Sequence, residues 1–154
     1  MQKITPCLWF DTQAEEAARF YASIFKKSKI GRITRYGERM PLPKGTVLTV
    51  SLTIEGQEFT LLNGGPVYKF TEAVSFVVSC KTQKEIDRFW DKLSEGAQIQ
   101  QCGWLKDKFG VSWQVTPADI GKLISGPGAG RVMAALMPMK KIDIAALRAA
   151  SRGK

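Results

Sequence analysis

The 154 residues contain no histidine. That removes the commonest general base and the commonest metal ligand from this chain. Ser-His-Asp and Cys-His chemistry are excluded for it, as are histidine-based zinc, iron and nickel sites. Cysteine is sparse. Cys7, Cys80 and Cys102 are an odd number with no CxxC spacing, so neither a disulfide framework nor a cysteine zinc site is expected. No run of about 18 apolar residues is present, so no membrane span is expected. The first residues, Met1 to Pro6, lack an apolar stretch of the secretory type. The cytoplasm is the expected location. Apolar material is plentiful, at 44% hydrophobic and 10% aromatic residues, and this excludes a disordered chain.

Charge is lopsided. The net charge is +9. Residues 26–44 carry seven cations against Glu38, and residues 121–154 carry seven against Asp143. Each stretch is therefore +6, and everything else sums to −3. Such a surface either attracts anions or keeps a soluble protein apart from its neighbours. No aromatic box and no helix-turn-helix pattern accompanies the basic residues, so nucleic acid is not the expected partner.

Two helices resemble each other. Thr12-Gln13-Ala14-Glu15 and Thr82-Gln83-Lys84-Glu85 both have the capping-box form. Arg19-Phe20-Tyr21 and Arg88-Phe89-Trp90 follow at nearly equal distances. Ala14, Ala17, Ala18, Tyr21 and Ile24 have helical spacing, as do Ile86, Phe89, Trp90 and Leu93. Each amphipathic stripe must be buried against a sheet.

A strand precedes each helix, at 4–10 and 73–80. Three strands follow the first, at 30–36, 46–54 and 57–63. Glu55-Gly56 is a two-residue turn between the last two. Three shorter strands follow the second helix, at 97–101, 103–106 and 111–116. The pattern is strand, helix, three strands, twice over. It divides the chain into a first module at 1–65, a second at 66–117, and a helical extension at 118–154. Met133, Met137 and Met139 in that extension are read either as a soft ligand surface or as helix packing. Gly126, Gly128 and Gly130 lie between helical segments, which makes them a linker and not a nucleotide loop.

This duplicated βαβββ unit resembles the vicinal oxygen chelate superfamily, which includes glyoxalase I, extradiol dioxygenases, and bleomycin and fosfomycin resistance proteins. Locally the chain looks like the PhnB-like branch, also called demethylubiquinone methyltransferase-like. The segments that carry the likeness include Cys7-Leu8-Trp9-Phe10-Asp11, Glu55-Gly56-Gln57-Glu58-Phe59, Leu62-Asn63-Gly64-Gly65-Pro66, Asp107-Lys108-Phe109-Gly110-Val111-Ser112-Trp113-Gln114 and Lys141-Ile142-Asp143-Ile144-Ala145-Ala146-Leu147. The resemblance implies an α+β fold. Two βαβββ modules form a curled mixed sheet around a central cup, C-terminal helices follow, and the protein is a homodimer.

The resemblance also implies where metal ligands of the superfamily would fall. Those places are near Thr5 on the first strand, near Ala73 and Ser75 on the fifth, at Gln114 on the last, and near Asn63 at the end of the fourth. Neutral residues stand there, and a divalent ion favours charged or imidazole ligands. The pocket is therefore expected to hold no metal and no cofactor. Thr5, Cys7, Trp9, Asn63, Ser75 and Gln114 are the expected binding residues, apolar with a few neutral hydrogen-bonding groups. Cys102, with Lys106 and Lys108 near in sequence, is the one candidate nucleophile.

The expected function is the binding of a small, partly apolar molecule, for sequestration, resistance or an unidentified reaction. The alternative is an enzyme of the same superfamily that uses a borrowed metal or Cys102. The third reading is a basic regulatory protein on nucleic acid.

Overall fold

A computed structural model describes residues 2–154. The chain divides into two compact units, one ending at Phe70 and the other spanning Thr71–Lys154.

The first unit contains β1 (Cys7–Phe10), α1 (Ala14–Ile24), β2 (Ser28–Arg35), β3 (Val47–Ile54) and β4 (Gln57–Asn63). Its sheet has the order β1-β4-β3-β2. β1 and β4 are parallel and the other pairs are antiparallel, so the sheet is mixed. Glu55 and Gly56 both have positive φ, as a two-residue hairpin turn between right-twisted strands requires. One face of the sheet packs on α1. Phe10, Val50, Leu52, Phe59 and Leu61 are buried there, beneath Ala14, Ala17, Ala18, Tyr21 and Ile24 of the helix. Three small residues among those five allow close approach of helix to sheet.

The second unit repeats the plan with β5 (Ser75–Cys80), α2 (Gln83–Leu93), β6 (Gln98–Ile99), β7 (Trp104–Lys106) and β8 (Ser112–Pro117). Its order, β5-β8-β7-β6, is that of the first sheet, again with one parallel pair, β5–β8. The expected α+β duplication is therefore present, as two four-stranded mixed sheets.

The two capping boxes behave differently. At α2 the Thr82 hydroxyl accepts from Glu85 N–H, and the Glu85 carboxylate accepts from Lys81 N–H at 2.9 Å. At α1 no such box forms. The Asn63 side chain takes its place, with Oδ1 accepting from Ala14 N–H at 2.8 Å. Glu15 pairs instead with Arg19 at 2.6 Å, one turn on. A residue from β4, brought in by the sheet, has displaced the local cap.

Three helices complete the second unit: α3 (Ile120–Leu123), α4 (Ala129–Leu136) and α5 (Ile144–Ser151). α4 buries Val132 and Leu136, α5 buries Ile144 and Leu147, and Ile142 is buried on the segment between them. The segment between α4 and α5 is held at two places. Cys102 N–H and Gly103 N–H donate to the carbonyls of Met139 and Lys140 at 2.7 and 2.8 Å. The Gln83 side chain donates to Ile142 O at 3.0 Å and accepts from Ile144 N–H at 2.9 Å. No helix of the described residues is long and apolar enough to cross a membrane.

Candidate functional site

Side chains alternate along a strand, so each sheet has a second face, turned away from its helix. In the first unit this face carries Cys7 and Trp9, in register with Thr60 and Leu62 on β4. Ser51 and Thr49 of β3 stand next in the same rows. Thr49 shares a 2.5 Å hydrogen bond with Thr34 of β2. Thr5 lies just before β1, with the parity of Cys7 and Trp9. The pairing with β4 reaches the residue after it, since Thr60 N–H donates to Pro6 O.

Trp9 is anchored at one end. Its indole N–H donates to Gly65 O at 2.8 Å, and its ring meets Tyr68 edge to face at 4.9 Å between centroids. A Cβ at Gly64 would overlap the Trp9 ring, so this position must be glycine for the indole to lie there. Trp9 remains partly exposed and Tyr68 is exposed.

Asn63 belongs to the other face. It is in register with Phe10 and is 2% exposed. Both ends of its amide are committed, Oδ1 to Ala14 N–H and Nδ2 to Val47 O at 3.0 Å. Its backbone carbonyl accepts from the Tyr36 hydroxyl at 2.6 Å. The structure therefore does not bring Asn63 together with Cys7 and Trp9. By the matching sheet orders and registers, Thr60 is the β4 counterpart of Gln114 on β8.

In the second unit the corresponding face is set in rows across β7, β8 and β5. Lys106, Ser112 and Ser75 form one row, and Trp104, Gln114 and Val77 form the next. Thr116 and Ser79 form a third. Gln114 Nε2 donates to Ser75 Oγ at 2.9 Å, so these two expected residues do meet. Ser112 and Thr116 flank Gln114 on β8 and are 1% and 5% exposed. Neither hydroxyl has a hydrogen-bond partner among the described residues. A buried hydroxyl without a partner costs about 1–3 kcal/mol, so such groups usually serve something. Sequence reasoning missed Ser112, Thr116 and Trp104. Period-two alternation from Gln114 would have found the first two.

Cys102 does not have the surroundings its sequence neighbours suggested. Lys106 pairs with Glu72, and Lys108 pairs with Glu95 at 3.3 Å. The groups around its sulfur are the carbonyls of Leu136 and Met137, at 3.7 and 3.8 Å, and the Met137 thioether at 4.0 Å. Desolvation raises the pKa of the Cys7 thiol although the residue as a whole is exposed, and a raised thiol is seldom ionised. Burial, with the Glu85 carboxylate adding to it, pushes Cys80 up to about 11.

The donor set does not suit a divalent metal. The positions that face away from the helices offer the neutral oxygens of Thr60, Ser75 and Gln114 and a single strand carboxylate, Glu58 on β4, which accepts from the Ser51 hydroxyl at 3.3 Å. Among the described residues, no group of three or more His, Cys, Asp or Glu is placed to hold an ion. Nor does the glycine run suit a nucleotide-type cofactor. A Cβ at Gly128 would overlap the Ser151 backbone, so this glycine lets α4 start against the end of α5.

A family model described as 3-demethylubiquinone-9 3-methyltransferase matches residues 2–116, ending before α3. Among solved structures, a putative 3-demethylubiquinone-9 3-methyltransferase, a PhnB protein from Bacillus cereus, is 42% identical. The alignment covers 76% of this chain and 100% of that one, with a TM-score of 0.70. A protein from Pseudomonas aeruginosa is 20% identical over 76% of this chain and 98% of its own, with a TM-score of 0.62. The fosfomycin resistance protein FosX from Listeria monocytogenes is 11% identical over 81% and 98%, with a TM-score of 0.60. These last two are likenesses of fold. No curated protein matches.

Proposed function

Since the chain belongs to the 3-demethylubiquinone-9 3-methyltransferase family, PhnB-like members of the vicinal oxygen chelate superfamily, we propose that it binds a small, partly apolar molecule on the face of the second sheet turned away from α2, without a metal. One observation carries this reading. Ser112 and Thr116 are buried on β8 with unpaired hydroxyls on either side of Gln114. Together with Ser75 and Gln114 they form a strip of neutral hydrogen-bonding groups on the face that also carries Trp104. Apolar walls with a few convergent polar groups are the usual composition of a small-molecule site. In the first unit, considered by itself, Trp9 is held by one hydrogen bond and one ring contact and offers a fixed aromatic surface on that sheet's own outer face.

Native mass spectrometry of protein purified without chelator tests the reading, and it reads the expected homodimer in the same spectrum. A small organic mass on the wild type that is lost in Gln114→Ala supports it. So does uptake of the uncharged aromatic probe N-phenyl-1-naphthylamine by the wild type with loss in that variant. A stoichiometric divalent metal on each subunit overturns it. Absence of any bound mass together with no probe uptake overturns it as well.

A further inference from the structure

We propose that the second sheet has a seat for the anionic group of its ligand, formed by Lys106 and Ser112, and that Glu72 of the chain itself occupies this seat until a ligand displaces it. The inference rests on the small-molecule reading above and adds the charge of the ligand to it.

Lys106 and Ser112 stand side by side on β7 and β8, on the face away from α2. Ser75 completes the row on β5. The Lys106 ammonium forms an ion pair with Glu72. Glu72 lies three residues before β5, on a stretch with no helix or strand from Gly64 to Val74. A carboxylate on such a tether can leave without disturbing the sheet. Ser112 is 1% exposed, and its hydroxyl has no hydrogen-bond partner among the described residues. An ammonium and an adjoining free hydroxyl are complementary to a carboxylate, phosphonate or sulfonate, which accepts from both. Glu72 satisfies only the first of them. The next row, with Trp104 and Gln114, would meet the apolar body of the same ligand. The ligand class is therefore a small aromatic or otherwise apolar molecule with one acidic group.

The exchange is feasible in energy. The side chains of Lys106 and Glu72 are 27% and 49% exposed. A pair so exposed is worth little, so an external anion that also engages Ser112 competes well.

Two fluorescent probes of similar aromatic body separate the possibilities: 1-anilinonaphthalene-8-sulfonate, an anion, and uncharged N-phenyl-1-naphthylamine. Glu72→Gln, which removes the internal competitor, should tighten the sulfonate roughly two- to fivefold, the range of an exposed ion pair. Lys106→Gln should weaken it by at least as much. Lys106→Arg, which keeps the charge, should largely restore it. Lys108→Gln, which removes a neighbouring cation paired with Glu95, should leave it unchanged. The uncharged probe should be indifferent to all four variants. Thermal melts of each variant establish that it is folded. If the uncharged probe binds but the sulfonate ignores Glu72→Gln and Lys106→Gln, the anion seat is wrong and the small-molecule reading stands. If Lys108→Gln weakens the sulfonate as much as Lys106→Gln, the attraction is general surface charge and the seat is wrong. If neither probe binds, both readings fall.

Discussion

The Asn63 side chain serves two backbone partners, Ala14 N–H and Val47 C=O, and its substitution should show this. Asn63→Ala leaves Ala14 N–H and Val47 C=O without their partners in a buried place. The expected loss is about 2–4 kcal/mol, from two orphaned groups and a missing helix cap. Asn63→Asp keeps the acceptor for Ala14 and should lose less. Urea denaturation of the two variants checks both values. A loss below about 1 kcal/mol for the alanine variant would contradict the assignment. Cys80 makes a prediction about pH. Its thiol ionises near 9.0 when unfolded and near 11 when folded. Below the lower value the stabilisation is complete. Between the two, the unfolded chain releases a proton that the folded chain keeps, so stability falls as pH rises, and above 11 nothing of this contribution remains. The difference in stability between wild type and Cys80→Ala should therefore shrink by about 2–3 kcal/mol from pH 8 to pH 11. A constant difference across that range would refute the assignment.

The helices and strands were largely readable in advance because their signals are local. The stripe Ala14, Ala17, Ala18, Tyr21, Ile24 is a helix whatever lies above it, and Gln57–Asn63 is a strand with the bounds that alternation predicts. Caps are local only when nothing better arrives. The two similar motifs therefore make a paired test. Thr82→Ala should cost about 1 kcal/mol, because that hydroxyl caps α2. Thr12→Ala should cost no more than a few tenths, because α1 is capped from β4. Equal losses in thermal or chemical denaturation would mean that the first box forms after all. Strand parity also explains why most of the candidate site could be read ahead. Cys7, Trp9, Ser75 and Gln114 follow from alternation along their own strands. Asn63 does not, because it ends a strand whose parity places it under the helix.

Within the second unit, the helices after β8 are attached by backbone contacts that no periodicity encodes. Gly103 is the closest of these. Its φ is +82°, and a Cβ there would come within 2.7 Å of Ile142 Cδ1 and of Val115 O. Gly103→Val should therefore destabilise this attachment by more than about 2 kcal/mol, from left-handed strain and overlap together. Amide exchange should rise across α4 and α5 while α1 stays protected. Unchanged protection in α4 and α5 would show that the turn does not hold them. The sequence alone carried the duplication, the α+β class, the missing imidazole and the amphipathic faces, because these depend on composition and on periods of 2 and 3.6 residues. Only the tertiary structure decided which groups found partners. It gave the α1 cap to Asn63, set the Cys102 sulfur against the Leu136 and Met137 carbonyls, paired Lys106 with Glu72, and left the hydroxyls of Ser112 and Thr116 without a partner among the described residues. A hydrogen bond or an ion pair is settled by distances between strands that are remote in sequence, and no local pattern contains them.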